Sequence, residues 1–443
     1  MSSPTGIPNA ALDSAPAPAD APTVTLAELF LTEVENHGAR LAYRYFPDEG
    51  GDLEGVTFDE VYELVRAASA GLRELGLTRG DRVAILSENR LEWAIADHAC
   101  MCSGILDVPI YSTLTVSQVA HILENSQVRL VFVSSPSQAG KALEACRQIA
   151  GDLRVVMFDS TDPPDEAVLV WRDFMEHGRN AAADGDQRFR ATALEAGPED
   201  VATILYTSGT TGNPKGVMLT HNNLSSNVRA VQRALPPVSD DTSLVLLPLS
   251  HVLQRMVSFL HFYDGVTRAF AHSMATVAGD LKIVRPNIAV SVPRLYEKVF
   301  NTVMEAQGVK KRLVRWARRV GEAWADEKLA GRKPSGVLRF RYAIAVALVF
   351  RKVRSALGGR VRYFVSGGAP LSVEINRFFF IGDPDPRGLR THRDQPGHEP
   401  QYAGALQDRH GREADPRHRS PNRRQWRGSD PWTPGDEGLL RIA

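Results

Sequence analysis

Two hydrophobic periods alternate along the first part of the chain. Thr57-Phe-Asp-Glu60 has the spacing of a helix capping box, and apolar residues follow it at helical intervals as far as Gly76. Short runs rich in Val and Ile, of the kind that form buried strands, occur at residues 82–86, 130–133 and 155–158. This alternation of helix and strand predicts an α/β fold with doubly wound, mostly parallel sheets.

The composition is that of a large globular protein. A chain of 443 residues with 43% hydrophobic residues can bury a sizeable core and has room for more than one domain. The formal net charge is zero, which gives no indication of a nucleic-acid partner. The three cysteines have no metal-site spacing, and no secretory signal is visible, so we expect a cytoplasmic protein. Residues 1–23, rich in Ser, Pro, Ala and Asp, are predicted to be a disordered tail.

The strongest chemical signal is the segment Tyr206-Thr-Ser-Gly-Thr-Thr-Gly-Asn-Pro-Lys-Gly216. It follows a predicted strand at residues 201–205, and a helix could start behind it at Thr220 or Asn222, so it is predicted to be a loop at the end of a strand in an α/β unit. Glycines let the backbone present its N–H groups, hydroxyl groups add donors, and one lysine adds positive charge. Such a loop suits a polyphosphate, although the Walker A spacing is missing. The alternative is a polar connector with a chance lysine.

This segment resembles, almost residue for residue, the phosphate loop of the AMP-forming adenylating enzymes, which include acyl-CoA synthetases, luciferases and adenylation domains of peptide synthetases. The resemblance covers roughly residues 26–380 and implies that residues 24–380 form an incomplete large N-terminal adenylating domain. It also implies that the loop holds the β- and γ-phosphates of ATP, with Mg²⁺, while a carboxylate attacks the α-phosphorus. By this resemblance the phosphate-binding residues are Thr207, Ser208, Gly209, Thr210, Thr211, Gly212, Lys215 and Gly216.

His251 closes the apolar segment Leu246-Leu-Pro-Leu-Ser-His251. From the residues alone, a lone histidine beside apolar neighbours is more often a packed core residue than a catalytic one. The segment is similar to one at the acyl and adenylate pocket of the fatty-acyl-CoA members of the family, and Ser291-Val-Pro-Arg-Leu-Tyr-Glu-Lys298 looks like the long-chain subgroup. The resemblance therefore implies that His251 lies in the pocket wall, near the reacting carboxylate, without transferring a proton in the reaction.

A second glycine-rich turn follows a predicted strand at residues 361–365. Paired glycines allow a flat ligand to approach the backbone closely, but an ordinary strand-to-helix turn is the simpler interpretation of the residues. The family has a similar Gly-Ala-Pro turn against the adenine of ATP. By that resemblance the adenine-binding residues are Ser366, Gly367, Gly368, Ala369 and Pro370.

Residues 310–319 combine six basic side chains with Val314 and Trp316. The spacing predicts a basic amphipathic helix, which most often presents a solvated face on a soluble protein. Such a helix can also lie on an anionic membrane, so peripheral contact with the inner face of the membrane is the second interpretation.

The character of the sequence changes after Phe380. From residue 382 to residue 443 there is no Val, Met, Phe or Lys, and no hydrophobic period remains. Residues 381–443 are therefore predicted not to fold as a domain. A basic, Pro-rich interaction tail is one interpretation. The family instead continues with a strand and a Gly-Tyr-Gly-x-Thr-Glu motif, which is absent here.

A one-base shift in the reading frame accounts for this change. Codons can be chosen for residues 383–396 that, read one base later, encode Ile-Pro-Ile-Leu-Glu-Gly-Tyr-Gly-Leu-Thr-Glu-Thr-Ser. Residues 435–441 can likewise encode Gly-Met-Lys-Gly-Tyr-Tyr-Gly, which also looks like the family. Our hypothesis is that the sequence from about residue 381 is out of frame. By resemblance, the chain then lacks the tyrosine that stacks on adenine, the Thr-Glu pair that serves Mg²⁺ and the small C-terminal domain, so no metal ligand can be assigned.

The resemblance implies an AMP-forming long-chain fatty-acid–CoA ligase that uses ATP, Mg²⁺ and CoA. A long-chain fatty acid would react with ATP to give an acyl-adenylate and pyrophosphate, and the thiol of CoA would then displace AMP. An adenylating enzyme for another carboxylic acid is one alternative. A catalytically dead remnant that still binds nucleotide or acyl groups is the other, and it is favoured for the chain as it stands.

We expect the gene to carry codons for residues 378–394 that permit the shifted translation. Resequencing this stretch is the measurement, because the correction of a one-base error would give a longer protein with the complete motif. Codons that forbid the shifted translation would contradict the hypothesis.

Overall fold

The computed structural model describes residues 23–47, 51–149, 153–159, 162–182, 185–207, 213–234, 240–273, 275–304, 308–330, 332–367, 369, 371–372, 374–375 and 378–379. Within these ranges the chain forms fourteen α-helices, one π-helical turn and thirteen strands arranged in two sheets. The prediction of an α/β fold with mostly parallel sheets is confirmed. The predictions for residues 1–22 and 381–443 fall outside the described residues.

The elements follow one another in a largely alternating order. In chain order they are α1 (Leu26–His37), β1 (Leu41–Tyr45), β2 (Glu54–Thr57), α2 (Phe58–Glu74), β3 (Arg82–Leu86), α3 (Leu91–Cys102), β4 (Leu106–Ile110), α4 (Val116–Ser126), β5 (Leu130–Val133), α5 (Pro136–Cys146), β6 (Arg154–Met157), β7 (Val168–Val170), α6 (Trp171–Ala181), α7 (Asp186–Leu194), β8 (Val201–Thr207), β9 (Lys215–Thr220), α8 (His221–Ala234), β10 (Thr242–Val245), α9 (Val252–Tyr263), β11 (Thr267–Phe270), α10 (Val277–Val284), β12 (Ile288–Ser291), α11 (Pro293–Met304), α12 (Gly308–Leu329), α13 (Gly336–Ala345), the π turn (Val346–Phe350), α14 (Arg351–Ala356) and β13 (Tyr363–Ser366).

Both sheets are parallel apart from one antiparallel pair in each. The larger sheet has seven strands in the order β7-β6-β5-β3-β4-β8-β9, and β8 and β9 are its antiparallel pair. The smaller sheet has six strands in the order β13-β12-β10-β11-β1-β2, and β1 and β2 are its antiparallel pair. The carboxyl ends of the parallel strands in each sheet therefore open at one edge, where such sheets bind ligands.

The capping box predicted at the start of α2 is present. Oγ1 of Thr57 accepts from the backbone N–H of Glu60 (3.2 Å), and the Glu60 carboxylate accepts from the backbone N–H of Thr57 (2.7 Å). α1 and α4 begin with the same reciprocal pair of hydrogen bonds. Local sequence therefore sets where these helices start.

A layer of helices lies between the two sheets and packs on both. Val83 and Ile85 of β3 join the large middle core, which also contains α1, α2, α3 and α9. Ala84 and Leu86, which point the other way, pack with α4 and α5 on the outer face. On the smaller sheet, Leu244 similarly belongs to an outer cluster with α10. The resulting order of layers is helices, sheet, helices, sheet, helices.

Two long-range hydrogen bonds attach the first turn of α1 to α8 and α9. The backbone N–H of Leu26 donates to Nδ1 of His221 (3.3 Å), and the Leu26 carbonyl oxygen accepts from the hydroxyl of Tyr263 (3.2 Å). His221 is 2% exposed, and burial lowers its pKa to about 4. Because Nδ1 accepts a hydrogen bond, His221 is neutral in the folded protein.

The pKa of His221 makes the stability of the fold depend on pH. The folded pKa lies below the ordinary value, so this contribution is complete above about pH 6.5 and is lost as the pH falls toward about 4. When the pH is lowered from about 7 to about 5, protonation of His221 in the unfolded state should lower the free energy of unfolding by about 2 kcal/mol.

The variant His221→Asn keeps an acceptor near Nδ1 but does not titrate. Its loss of stability over the same pH range, measured by urea unfolding, should therefore be smaller than that of the wild type by about 2 kcal/mol. His177→Asn, on an exposed part of α6, is the matched control and should behave as the wild type. Equal losses for His221→Asn and the wild type would contradict the assignment.

Candidate functional site

The predicted phosphate loop is the tip of a hairpin that joins β8 to β9. Tyr206 pairs with Gly216, and Thr207 pairs with Lys215. The next helix, α8, begins after Thr220 as predicted, but residues 215–220 form a strand that the sequence interpretation did not include. The rest of the loop lies outside the described residues, and its phosphate-binding role stays a prediction for Ser208, Gly209, Thr210, Thr211 and Gly212.

Contacts from α4 fix the base of this hairpin. The hydroxyl of Tyr206 donates to Oδ1 of Asn125 (2.5 Å). Nε2 of His121 lies 3.1 Å from the carbonyl oxygen of Pro214. Both ends of the loop are therefore attached to the same helix.

The strand after the loop starts with two of the predicted phosphate-binding residues. Lys215 is exposed. A Cβ at Gly216 would lie 3.0 Å from the side chain of Ile204 and 3.1 Å from the ring of Tyr206. Close packing against β8 is therefore a reason for glycine at this position that is independent of any ligand.

His251 caps the N-terminus of α9. Its Nδ1 accepts a hydrogen bond from the backbone N–H of Leu253 (3.2 Å), and burial lowers its pKa. The imidazole is therefore neutral with its proton on Nε2. His251 is partly exposed, in contrast to His261 at the other end of the helix, which is 4% exposed. The packed-core interpretation thus describes His261 and not His251.

The segment before His251 is held by a residue from the other sheet. Asn89, which follows β3, donates from Nδ2 to the carbonyl oxygen of Leu247 (2.7 Å). Its Oδ1 accepts from the backbone N–H of Leu249 (2.7 Å). Asn89 follows the end of β3 and Leu247 follows the end of β10. This contact therefore joins the carboxyl edges of the two sheets next to His251.

The predicted adenine turn packs against the same helix. Ser366 ends β13, and the backbone N–H of Gly367 donates to the carbonyl oxygen of Ser291 at the end of β12 (3.0 Å). A Cβ at Gly367 would lie 2.5 Å from Cδ2 of Leu253, so a larger residue would require the Leu253 side chain, on the first turn of α9, to shift. The structure thus brings this turn next to the residues that follow His251. Ala369 is exposed, and the remaining predicted adenine-binding residues fall outside the described part of the chain, namely Gly368 and Pro370.

Two buried hydroxyl groups lie at this edge of the smaller sheet. Ser291 and Ser366 are paired across β12 and β13. The Oγ atom of each is buried and has no hydrogen-bond partner among the described residues. A buried hydroxyl without a partner is destabilising, and a polar ligand at this edge would satisfy it.

Sequence reasoning missed a buried ion-pair network next to this site. Arg255, one turn after His251, is 1% exposed. Its guanidinium donates to both carboxylate oxygens of Asp97 on α3 (2.5 and 3.2 Å) and to Oδ1 of Asp107 on β4 (2.7 Å). It also donates to Oγ1 of Thr203 on β8 (2.6 Å). The network therefore links the helix of His251 to the strand that leads into the hairpin.

The pKa of each ionisable group in this network is shifted by the charges of the others. Burial alone would lower the pKa of the Arg255 guanidinium, but the charges of Asp107 and Asp97 outweigh it and raise that pKa. Burial raises the pKa of Asp97 to about 7 and also raises the pKa of Asp107, against the opposing charge of Arg255. Two buried carboxylates thus depend on one cation.

The signal for this network was present in the sequence. Asp97 lies in a largely apolar helix, Asp107 lies inside a strand, and Arg255 lies in a second largely apolar helix. Charged residues at positions where the hydrophobic period predicts burial are rarely fully buried unless they are paired. The pattern identifies such residues, but it does not say which of them meet.

No metal ligand set is present among the residues that the structure describes. In that part of the chain, no three His, Cys, Asp or Glu side chains are grouped as a metal site requires. The glutamate expected to serve Mg²⁺ occurs only in the hypothetical shifted reading frame, and its role stays a prediction.

No described helix combines the length and the apolar character that crossing a membrane requires.

We expect Arg255→Met to be strongly destabilising, because it leaves two buried carboxylates without their cation. The free energy of unfolding should fall by about 3–5 kcal/mol. Adding Asp97→Asn and Asp107→Asn removes the uncompensated charges and should recover part of that loss. Urea unfolding measures both effects.

The matched control is Arg172→Met, which breaks an exposed pair with Asp173. It should cost less than about 1 kcal/mol. A loss for Arg255→Met no larger than that of the control would contradict the role assigned to the network.

Comparison with known proteins gives a consistent set of relatives. The chain is 36% identical over 328 residues to the long-chain-fatty-acid–CoA ligase FadD15 of Mycobacterium bovis, an alignment that covers 73% of this chain and 53% of that protein. It is 31% identical over 364 residues to the human long-chain-fatty-acid–CoA ligase 1, which covers 78% of this chain and 49% of that protein. The chain thus spans about half the length of the curated relatives it matches.

Solved structures show the same fold. A long-chain-fatty-acid–CoA ligase from Archaeoglobus fulgidus (FadD1) superposes with a TM-score of 0.58 at 18% identity, over 81% of this chain and 60% of that chain. A fatty acyl CoA synthetase from Mycobacterium tuberculosis superposes with a TM-score of 0.57 at 22% identity, over 81% of this chain and 57% of that chain.

The family model described as AMP-binding enzyme matches residues 30–384. This range includes the hairpin, the helix of His251 and the turn after β13, and it agrees with the resemblance found in the sequence. The chain belongs to the AMP-binding enzyme family.

Proposed function

We propose that this chain is the large nucleotide-binding part of an AMP-forming long-chain fatty-acid–CoA ligase. The observation that carries the proposal is the packing of the Gly367 turn on the first turn of α9, beside two buried hydroxyls that have no hydrogen-bond partner within the described part of the chain. This arrangement lies at the carboxyl edges of the sheets, and the curated relatives named above are long-chain-fatty-acid–CoA ligases. ATP, a fatty acid and CoA are the proposed substrates.

In the proposed reaction, a carboxylate oxygen of the fatty acid attacks the α-phosphorus of ATP and pyrophosphate leaves. The sulfur of CoA then attacks the carbonyl carbon of the acyl-adenylate and AMP leaves. The protein contributes mainly by positioning the reactants and by balancing the charge on the phosphates. Mg²⁺ would neutralise phosphate oxygens when it is bound with ATP.

Individual residues have separate proposed roles in this reaction. Lys215 and the loop before it bind the β- and γ-phosphates. Ser366, Gly367 and their neighbours in the turn face the adenine. His251 forms part of the pocket wall, and its Nε2–H can donate a hydrogen bond to an oxygen of the reacting group while the neutral ring avoids a net charge there.

The reading-frame hypothesis is part of the proposal. The family match ends at residue 384, close to the start of the shifted segment at about residue 381. Among the described strands, β13 pairs with β12 alone, so its other side is open to a further parallel strand. The sequence Ile-Pro-Ile-Leu-Glu of the shifted frame has the character of such a strand. Without it, the chain as it stands is the dead, ligand-binding remnant.

Peripheral contact of a cytoplasmic protein with an anionic membrane is also proposed. The exposed basic side chains at the start of α12 supply the charge for it, namely Lys310, Lys311, Arg312 and Arg315. A long-chain fatty acid partitions into lipid, so such contact would bring the chain to its substrate.

Pyrophosphate exchange into ATP tests the proposed reaction. With the reading frame restored, exchange should depend on long-chain fatty acids and be weak with aryl or amino acids. The chain as it stands should bind ATP without exchange. Preference for an aryl or amino acid would favour the alternative adenylating enzyme, and full exchange by the present chain would contradict the frame hypothesis.

A pair of lysine variants tests the phosphate site in the restored protein. Lys215→Ala should lower exchange by about 10²-fold or more, since it removes a charge at the phosphates. Lys282→Ala, exposed on α10, is the matched control and should leave exchange unchanged. Equal activities of the two variants would contradict the assignment of Lys215.

A further inference from the structure

α12 and α13 form a helical pair that buries its own small core. Trp324 of α12 stacks on Tyr342 of α13 with ring centroids 4.3 Å apart and planes 4° apart. Other buried apolar residues complete this cluster on both helices and on the π turn, namely Ala317, Val320, Ala325, Ala345, Val349 and Phe350. The inward side of α13 is therefore already occupied, and its outward side has to be considered separately.

The outward side of α13 and the π turn is also apolar. Val337 is 65% exposed, Phe340 is 69% exposed and Leu348 is 46% exposed. Phe340 and Leu348 follow Val337 by three and eleven residues, a spacing that puts all three on one side of the helical segment. The other large exposed apolar side chains that the structure describes are Leu41, Leu194, the adjacent pair Val217 and Met218 on β9, and Ile283, and none of them is on a helix with a second exposed apolar side chain of this kind. The three residues on α13 and the π turn are defined here as the α13 face.

The sequence that contains the α13 face carries charge of a single sign. From Lys328 to Val373 the sequence contains ten Lys and Arg residues and no Asp or Glu. Arg339 and Arg341 flank Phe340 and are exposed, and exposed Arg351 and Lys352 follow on α14. An apolar stripe between basic side chains is the pattern of a helix that lies in the interface of an anionic bilayer.

We propose that the α13 face inserts into the headgroup region of an anionic lipid surface, with the flanking arginines on lipid phosphates. Charge complementarity selects this partner. A second copy of the chain docked on the same face would bring arginines against arginines. This proposal rests on the proposed function, which includes peripheral contact with an anionic membrane. It adds the side chains that enter the lipid, whereas the basic start of α12 contributes only charge.

Vesicle sedimentation with the full chain is the test. The vesicles are phosphatidylcholine alone or phosphatidylcholine with about one-quarter phosphatidylglycerol. The wild type should sediment with the anionic vesicles and much less with the neutral ones, and added salt should weaken the binding. The variant Val337→Asp with Phe340→Asp should bind the anionic vesicles at least about tenfold more weakly.

The matched control is Leu194→Asp with Ile283→Asp, which changes two similarly exposed apolar residues at 54% and 56% exposure on other helices. It should bind as the wild type. A second variant, Arg339→Glu with Arg341→Glu, keeps the apolar side chains and should also lose binding to the anionic vesicles. Thermal unfolding of each variant checks that the helical pair is intact.

Several outcomes would overturn the proposal. They are absence of wild-type binding, equal binding by the α13 variants and the control, or conversion of a dimer to a monomer by the α13 variants, which would identify a second copy as the partner. Failure of the proposed function is distinguishable from these. A restored protein without pyrophosphate exchange that still needs the α13 face for vesicle binding would contradict the ligase and support the lipid surface.

Discussion

The buried pairing of Arg255 with Asp97 and Asp107 is the interaction on which the site depends. It joins two helices of the middle layer, α9 and α3, to β4 and to β8, the strand that leads into the hairpin. Burying these charges is costly, so an apolar replacement of the whole group need not be less stable. The ion pairs contribute geometric specificity, because a planar guanidinium can hydrogen-bond to its partners in only a few arrangements. The start of α9, with His251 and Leu253, is thereby held relative to β8.

The fold could be read from the sequence to the level of its elements. Capping residues such as Thr57 and apolar periods are local signals, and they set the starts of helices and the positions of buried strands. Strand β9 was missed because its residues are mostly exposed and include glycine next to lysine, which is unlike a buried strand. Its place in the sheet is decided by antiparallel pairing with β8, which is a contact and not a local property.

The site was predicted in part, and mainly by resemblance. The turn at Ser366 and the segment before His251 were each recognised separately, and their adjacency comes from the packing of Gly367 on Leu253. Such a contact joins residues more than a hundred positions apart, so no window of sequence contains it. The Arg255 network has the same origin: its members are visible as charges in apolar surroundings, but their meeting is a result of three-dimensional packing.

The helical layer between the two sheets also has a consequence for how the polypeptide reaches its folded state. α1 is held by His221 and by Tyr263, which are 195 and 237 residues further along the chain. α1 therefore has no complete packing surface until α9 has been synthesised. Contacts of such long range are slow to form, so the apolar side of α1 stays uncovered during much of synthesis. A chaperone that covers apolar surface would protect this helix until the middle layer closes.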